Sequence, residues 1–211
     1  MRGVIPDKLT VLRLASVFKS DDVYIDIGAN TGELTENILK QLAHRNIHLG
    51  KVVMFEPIPM YYEKCVEKFL GHSTCSVENL AISDDTEDKL IYASKLNPGY
   101  NKIFVEGMEI HPHSKFVVKC KTLSLYLKEE GIKRVRLIKI DTEGHDSNVL
   151  FGTLEFLDQT DLLPFIQFEG GWNPKKETTL LNLLASKYGY KYEMYATDYF
   201  LTPPQEKKYS I

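Results

Sequence analysis

Residues Val23 to Leu34 read VYIDIGANTGEL and decide the fold of this 211-residue chain. An apolar run with β-branched residues ends in an acid, a glycine-containing turn follows, and a helical pattern begins after the turn. This order predicts a strand, a tight loop and the first turn of a helix. Loop glycines let a ligand approach the backbone, and a helix start presents free N–H groups. We therefore expect a nucleotide-type cofactor at this loop.

Strand-like and helix-like patterns alternate along the rest of the chain. They predict one α/β domain over residues 1–211, with a mostly parallel sheet and helices on both faces. Sheet strands are predicted at 23–27, 51–55, 76–81, 136–140 and 164–168, helices near 34–42, 59–70, 123–130 and 178–188, and a terminal hairpin over 190–201. Residues 1–20 predict an N-terminal helical segment whose helix opens near Asp7.

Two further segments lie between the third and fourth predicted strands. Residues 115–121 alternate weakly and predict an extra strand or hairpin arm. Residues 84–113 are the least regular part of the chain and predict a substrate-side loop or insertion. An ordinary surface excursion is the alternative for this second segment.

Composition narrows the classes of function. Apolar residues make up 43% of the chain and charged residues 26%, which is ordinary for a globular protein. A net charge of −3 gives no electrostatic reason to expect a nucleic-acid partner. Cys65, Cys75 and Cys120 form no Cys-x-x-Cys pair, so reduced buried thiols are expected. No segment approaches the roughly 20 apolar residues of a membrane span, and no signal peptide is recognised, so a cytoplasmic location is expected.

Polar residues follow the second and third predicted strands, at the edge where open α/β sheets bind ligands. Glu56 lies in the run FEPI, residues 55–58, and an acid there can accept both ribose hydroxyls of an adenosine. A solvated acid at a strand end is the alternative. The third strand ends in NLAISD, residues 79–84, where Ala81 leaves room for a flat base and Asn79 can read its edge.

The fourth strand ends in LIKIDTEGHD, residues 137–146, which brings four ionisable side chains to the same edge. If the strand geometry continues to Glu143, that residue and Asp141 lie on one face. His145 is expected to titrate near neutral pH. Clustered ionisable groups are costly unless paired, which favours a functional site. Either Asp141 or Glu143 is also expected to cap the helix that begins near Asp146.

The fifth strand ends in QFEGGWN, residues 167–173. Glu169 is expected to enter the same crevice from the neighbouring strand. The two glycines after it indicate a bend in the backbone or a close ligand approach. Trp172, the only tryptophan, either forms a wall of a substrate pocket or packs against the edge of the domain.

The spacing Asp26-x-Gly28-x-x-x-Gly32 resembles the first motif of class I S-adenosylmethionine-dependent methyltransferases. The wider set is similar to the FkbM-type family of those enzymes. The matching runs are DIGANTGELT (26–35), FEP (55–57), NLAISD (79–84), KTLSLYL (121–127) and LIKIDTEGHDSNVLFG (137–152). The last run is the most specific, because general class I methyltransferases lack it.

The resemblance implies a Rossmann-like class I fold, with a seven-stranded, mostly parallel sheet and an antiparallel C-terminal hairpin strand. It also implies S-adenosylmethionine as cofactor and O-methylation of a hydroxyl on a small molecule or carbohydrate. In the family, the acid at Asp26 lies near the methionine end of the cofactor. The implied cofactor-binding residues are Asp26, Gly28, Asn30, Thr31, Gly32, Glu56, Pro57, Ile58, Asn79, Ala81 and Asp141. Two positions depart from the family pattern, which often has an acid at Ser124 and Glu at Asp146.

Two mechanisms remain open for the removal of the acceptor's proton. His145, Asp141 or Glu169 can act as general base if it reaches the hydroxyl. Alternatively, Asp141, Glu143 and Glu169 hold a divalent cation that lowers the hydroxyl's pKa.

Two other functions compete with methyl transfer. One is a non-catalytic module that binds a cofactor or a protein on the same fold. The other is an NAD-dependent oxidoreductase, which is disfavoured because the loop lacks Gly-x-Gly-x-x-Gly. The sequence does not identify the acceptor or the oligomeric state.

Overall fold

The computed structural model describes residues 8–93, 102–103 and 114–204. Its strands are β1 Val23–Ile27, β2 Lys51–Phe55, β3 Cys75–Glu78, β4 Ala81–Ser83, β5 Lys89–Ala93, β6 Lys102–Ile103, β7 Ser114–Val118, β8 Cys120–Thr122, β9 Leu137–Ile140, β10 Phe165–Glu169, β11 Lys191–Tyr195 and β12 Asp198–Thr202. Its helices are α1 Lys8–Ser16, α2 Glu33–Ala43, α3 Pro59–Lys68, α4 Leu123–Glu129, α5 Asp146–Phe151, α6 Leu154–Gln159 and α7 Pro174–Tyr188.

The central sheet has seven strands in the order β11-β12-β10-β9-β1-β2-β3. The five strands from β10 to β3 run parallel to one another. Strand β12 is antiparallel to both β10 and β11. The predicted α/β class, the parallel sheet and the C-terminal hairpin are therefore confirmed.

Helices cover both faces of the sheet because strand side chains alternate between them. Ile25 and Ile27 belong to a core with side chains of α4, α5, α6 and α7. Tyr24, on the opposite face, belongs to a second core with side chains of α1, α2 and α3. The first N-terminal helix thus packs on the same face as α2, where Leu14 is 1% exposed.

The predicted third strand at 76–81 is two strands in the structure, which corrects the sequence interpretation. Strand β3 ends at Glu78, and β4 begins at Ala81 and pairs in parallel with β8 in a separate two-stranded sheet. The Ala81 N–H donates to the carbonyl of Lys119 at 2.9 Å, which draws the chain away from β2. An apolar pattern alone does not reveal this change of partner.

The segment predicted as an insertion contributes a second small sheet. Strand β5 pairs antiparallel with β6 and with β7. Residues 115–121 therefore contain most of β7, which is the predicted hairpin arm, and the start of β8. Residues 94–101 and 104–113 of that segment lie outside the described residues, as do residues 1–7. Helix α7 begins at Pro174, earlier than predicted, because Asn173 caps it by accepting the Lys176 N–H at 3.1 Å.

Candidate active site

A cavity opens at the carboxyl ends of β1, β2 and β9, beside β4. Ligands bind at this edge in open parallel sheets. The predicted site residues that line it are Gly28, Asn30, Glu56, Pro57, Ile58, Ala81, Asp141, Glu143 and His145. Leu80, Ile82 and Ile91 add an apolar wall. We call this space the central cavity.

Gly28 is required by the protein's own backbone as well as by the cavity. Its φ is +77°, and a Cβ atom there would lie 1.9 Å from the carbonyl oxygen of Asp141. The N–H groups of Gly28 and Ala29 both donate to the carbonyl of Phe55 at 3.0 Å. The loop after β1 therefore lies between the ends of β2 and β9, where any side chain at Gly28 would displace it.

Gly32 does not line the central cavity, and its cofactor role stays a prediction. It precedes α2 with a φ of +74°, and a Cβ atom would lie 2.5 Å from the Phe69 ring and 3.0 Å from the Cys65 Sγ. This glycine allows α2 to pack closely on α3 and the turn after it. Thr31 also lies outside the lining, and its N–H donates to the Asn30 Oδ1 at 2.8 Å.

Glu56 is the best-defined polar group of the central cavity and is only 4% exposed. Its Oε2 accepts the Asn30 N–H at 2.8 Å, and its Oε1 accepts the Ile58 N–H at 2.8 Å. Burial raises the pKa of Glu56 to about 7, although these two backbone hydrogen bonds oppose the shift. Each oxygen keeps capacity for a further donor, as two ribose hydroxyls would require.

Asn79 holds the turn after β3 and does not line the cavity, and its contact with a base stays a prediction. Its exposed side-chain amide donates to the carbonyls of Glu56 at 2.9 Å and Pro57 at 3.0 Å. Leu80 and Ala81 line the cavity instead. The amide therefore shapes the loop that carries Glu56.

Asp26 is fully buried and does not line the central cavity. The Lys139 Nζ lies 3.0 Å from its Oδ1, and the Thr35 hydroxyl donates to its Oδ2 at 2.6 Å. The same Nζ donates to the carbonyl of Gly28 at 3.1 Å and lies 3.6 Å from the Asp141 Oδ2. Asp26 thus acts on the cavity through Lys139, which connects the loop after β1 to Asp141.

Lys139 was absent from the predicted site. Burial favours its neutral form, but the charges of Asp26 and Asp141 outweigh burial and raise its pKa. The available signal was a lysine inside the apolar run LIKI, which is costly to bury without a partner. The partner could not be named from the sequence, because Asp26 and Lys139 meet only through the register of β1 and β9.

The chain turns sharply after β9, so the predicted shared strand face of Asp141 and Glu143 is wrong. Strand β9 ends at Ile140, and Glu143 and Gly144 have φ values of +53° and +100°. The predicted helix cap is also wrong, because His145 precedes α5 and no side chain caps that helix. Trp172 lies against the turn, 3.2 Å from the position of a Cβ atom on Gly144.

Asp146 fastens this turn to the neighbouring strand. It is 2% exposed, and its carboxylate accepts the Thr142 hydroxyl at 2.8 Å and the Glu169 N–H at 3.2 Å. Burial raises its pKa to about 6. Ser124, the other departure from the family pattern, donates to the carbonyl of Gly152 at 2.8 Å and accepts the Phe156 N–H at 2.9 Å. Both residues have structural hydrogen bonds in this chain.

His145 lines the central cavity and is held by the end of β4. Its Nε2 lies 2.9 Å from the Ser83 hydroxyl, which donates to the Asp84 Oδ1 at 3.0 Å. The hydroxyl has one proton, so it accepts the Nε2–H, and the neutral ring keeps its lone pair on Nδ1. Burial lowers the pKa of His145 to about 4. The charge of Asp84 favours the protonated ring, whereas the charges of Lys89 and Lys176 disfavour it. Burial of the ring thus opposes the expected titration of His145 near neutral pH.

Glu169 ends β10 and is positioned by Trp172, whose Nε1 donates to its Oε2 at 2.8 Å. Asp198 lies opposite Glu169 in the pairing of β10 with β12. Burial raises the pKa of Asp198 to about 6, and the charges of Asp141 and Glu169 add to the shift. Asp198 was not predicted, because only the register of the hairpin brings it to this crevice.

The structure does not form the alternative metal site from Asp141, Glu143 and Glu169. In the described part of the chain, no three His, Cys, Asp or Glu side chains are grouped closely enough to hold a metal ion. Glu143 lies on the turn towards the central cavity, while Glu169 is held on the side of Trp172.

The strand order, the crevice and the loop after β1 define a class I methyltransferase fold. The family model described as the methyltransferase FkbM domain matches residues 26–192. The chain therefore belongs to the FkbM methyltransferase family. No curated protein sequence gives a significant match.

Solved structures of low sequence identity share the fold. The methyltransferase FkbM from Methylobacillus flagellatus KT is 13% identical with a TM-score of 0.58, over 88% of this chain and 44% of that one. The chain therefore spans less than half of that protein. SMU.1697c from Streptococcus mutans, solved in complex with SAH, is 12% identical with a TM-score of 0.55, over 97% of this chain and 100% of that one. An rRNA methylase from Streptococcus thermophilus is 13% identical with a TM-score of 0.52, over 95% and 97%.

Each helix in the described ranges is too short or too polar to cross a membrane.

Proposed function

We propose that this chain is an S-adenosylmethionine-dependent methyltransferase that methylates a hydroxyl group on a small molecule. The observation that carries the proposal is Glu56, a buried carboxylate whose two oxygens are held at the cavity wall by the N–H groups of Asn30 and Ile58. A carboxylate at the end of the second strand suits the two hydroxyls of a ribose. A relative of the same fold was solved with SAH, which supports the cofactor.

The cavity residues fit such a cofactor. Glu56 accepts from the ribose, the backbone near Gly28 approaches the ligand, and Ala81 and Ile82 provide a flat apolar surface for the adenine. The bound cofactor supplies an electrophilic methyl group on a sulfonium. The protein then has to orient the acceptor oxygen in line with that methyl group and exclude water.

The proton of the acceptor hydroxyl also needs a destination. We favour the carboxylates of Asp141 and Glu169 over His145 as general base because of where His145 lies. Burial lowers the pKa of His145 to about 4, in the range of an ordinary carboxylic acid, so base strength does not separate the candidates, and the neutral Nδ1 can accept a hydrogen bond. Its link to Ser83, two residues after Ala81, favours a place at the adenine end of the cavity.

Calorimetry with S-adenosylhomocysteine and with NAD tests the cofactor. We expect saturable binding of S-adenosylhomocysteine and none of NAD, and the reverse result would make the chain an NAD-dependent oxidoreductase. Transfer of a labelled methyl group to a panel of phenols, aliphatic alcohols and sugars tests the reaction. Cofactor binding without transfer to any acceptor, including peptides and lipids, would support a non-catalytic module.

A further inference from the structure

A second cavity lies between α1 and the strands β10, β11 and β12. Its volume is about 250 Å³. An apolar cavity of about 150 Å³ is enough to bind benzene in another protein. The second cavity can therefore hold a ligand with at least one ring.

Gln167 supplies an unused hydrogen-bond acceptor in this wall. The residue is 6% exposed, and within the described ranges its Oε1 has no hydrogen-bond partner. Burying a carbonyl oxygen without a donor is costly, so a ligand that brings a donor would be stabilised there. Gln167 lies level with Lys139 on one neighbouring strand and with Phe200 on the other.

Asp198 joins the second cavity to the reaction crevice. Its side chain lines the cavity together with Gln167, whose side-chain amide hydrogen-bonds the Asp198 carboxylate, and Asp198 lies opposite Glu169 in the pairing of β10 with β12. A ligand that reaches Asp198 from the cavity therefore approaches the acidic end of the crevice.

The other walls are mostly apolar. Leu9 and Leu14 of α1 face Tyr195 and Phe200 of the hairpin across the cavity. Arg13 also lines it, but its guanidinium lies 4.5 Å from the Phe200 ring centroid and forms an ion pair with Glu193. Thr10 and Tyr195 add hydroxyl groups to the lining. The wall is nevertheless mainly apolar, which suits a ligand with one hydroxyl on an apolar ring better than a sugar, whose many hydroxyls would lose more water than these few groups replace.

We propose that the second cavity is the acceptor pocket and that it binds a hydroxyl carried on an apolar ring, with Gln167 Oε1 accepting its hydrogen bond on binding and the Glu169 carboxylate, opposite Asp198, taking its proton as general base in the transfer. This assignment rests on the proposed function and selects phenol-like or ring-bearing alcohols over carbohydrates. Gln167 and Asp198 determine where the hydroxyl lies. The leucine and aromatic side chains select the apolar ring to which the hydroxyl is attached.

Binding of 2-naphthol and of methyl glucoside to the full chain, measured by saturation-transfer NMR with S-adenosylhomocysteine present, tests the proposal. We expect saturable binding of 2-naphthol only. Gln167→Met and Leu9→Trp should each weaken it about tenfold or more, the first by removing the acceptor and the second by filling the cavity. Leu12→Trp is the matched control, because Leu12 is an exposed leucine of the same helix that does not line the cavity.

The variants also separate this proposal from the proposed function. All of them should bind S-adenosylhomocysteine like the wild type, since none of the substituted residues lines the central cavity. Failure of the wild type to bind S-adenosylhomocysteine would contradict the proposed function. Normal binding of S-adenosylhomocysteine would overturn only the acceptor pocket if 2-naphthol does not bind, binds equally to Leu9→Trp and Leu12→Trp, or is displaced by methyl glucoside.

Discussion

The Nζ of Lys139 lies 3.0 Å from the Oδ1 of Asp26, in an ion pair buried between β9 and β1. The same ammonium group contacts the carbonyl of Gly28 and lies near Asp141. One side chain therefore sets the relative position of the loop after β1 and the end of β9, the two backbone segments that meet at the central cavity.

Removing one partner of this pair should destabilise the fold strongly. Lys139→Met leaves the Asp26 carboxylate buried without its cation, and a loss of about 3–5 kcal/mol in the free energy of unfolding is expected. The double variant Asp26→Leu with Lys139→Met should recover much of that loss, because no charge is then left unpaired. Urea unfolding of the three proteins measures the effect.

The double variant also separates stability from site geometry. We expect it to fold and yet to bind S-adenosylhomocysteine more weakly than the wild type, since the contact with the Gly28 carbonyl is lost. A single variant as stable as the wild type would contradict the role assigned to the pair.

Glu56 should control cofactor affinity. Glu56→Gln keeps the shape of the side chain but replaces a charged acceptor with a neutral amide, so affinity for S-adenosylhomocysteine should fall about 10–100-fold. Calorimetry measures the change. Glu63→Gln, at an exposed position of α3, is the control and should bind like the wild type. Unchanged affinity of Glu56→Gln would remove Glu56 from the ribose site.

His145 should make stability depend on pH in a definite direction. Its folded pKa is about 4 and its reference value 6.5, so between these values the unfolded chain binds the proton that the folded chain excludes. The destabilisation is absent above pH 6.5, grows as the pH falls and levels off near pH 4. At pH 5 it should reach about 1–2 kcal/mol.

Thermal unfolding of His145→Gln against the wild type tests this dependence. Glu56, Asp146 and Asp198 also have raised pKa values, so the informative quantity is the difference between the two proteins at each pH. The wild type should lose more stability than His145→Gln between pH 7 and pH 5. His44→Gln, at an exposed position, should follow the wild type. Parallel pH profiles for His145→Gln and the wild type would show that His145 is not a buried neutral imidazole.

Gly32 should be needed for packing. Gly32→Ala places a Cβ atom 2.5 Å from the Phe69 ring at a positive φ, whereas Gly71→Ala meets only the unfavourable φ, with no atom within 4 Å. The first variant should therefore lose about 1–3 kcal/mol more than the second. Differential scanning calorimetry of the two variants measures the difference. Equal losses would show that the Phe69 ring moves aside freely.

Local patterns predicted the strands, the loop after β1 and the acid at the end of β2, because each depends on residues adjacent in the chain. Gly28 and Glu56 could therefore be assigned to the cavity from the sequence. The same reasoning did not reveal the contacts that Gly32 and Asn79 make within the protein. A glycine or an amide at a loop gives the same pattern whether it contacts a ligand or the protein itself, and here Gly32 meets Phe69 and Asn79 meets the carbonyl of Glu56.

The sequence by itself determined the fold class, the family resemblance and the edge of the sheet where the site lies, since strand ends and their polar residues are read in chain order. Only the tertiary structure decided which distant residues act together. The β1–β9 register pairs Lys139 with Asp26, and the antiparallel hairpin brings Asp198 to Glu169. Burial then lowered the pKa of His145 and raised those of Glu56 and Asp198. These effects depend on the removal of water by elements far apart in the chain, which no local pattern records.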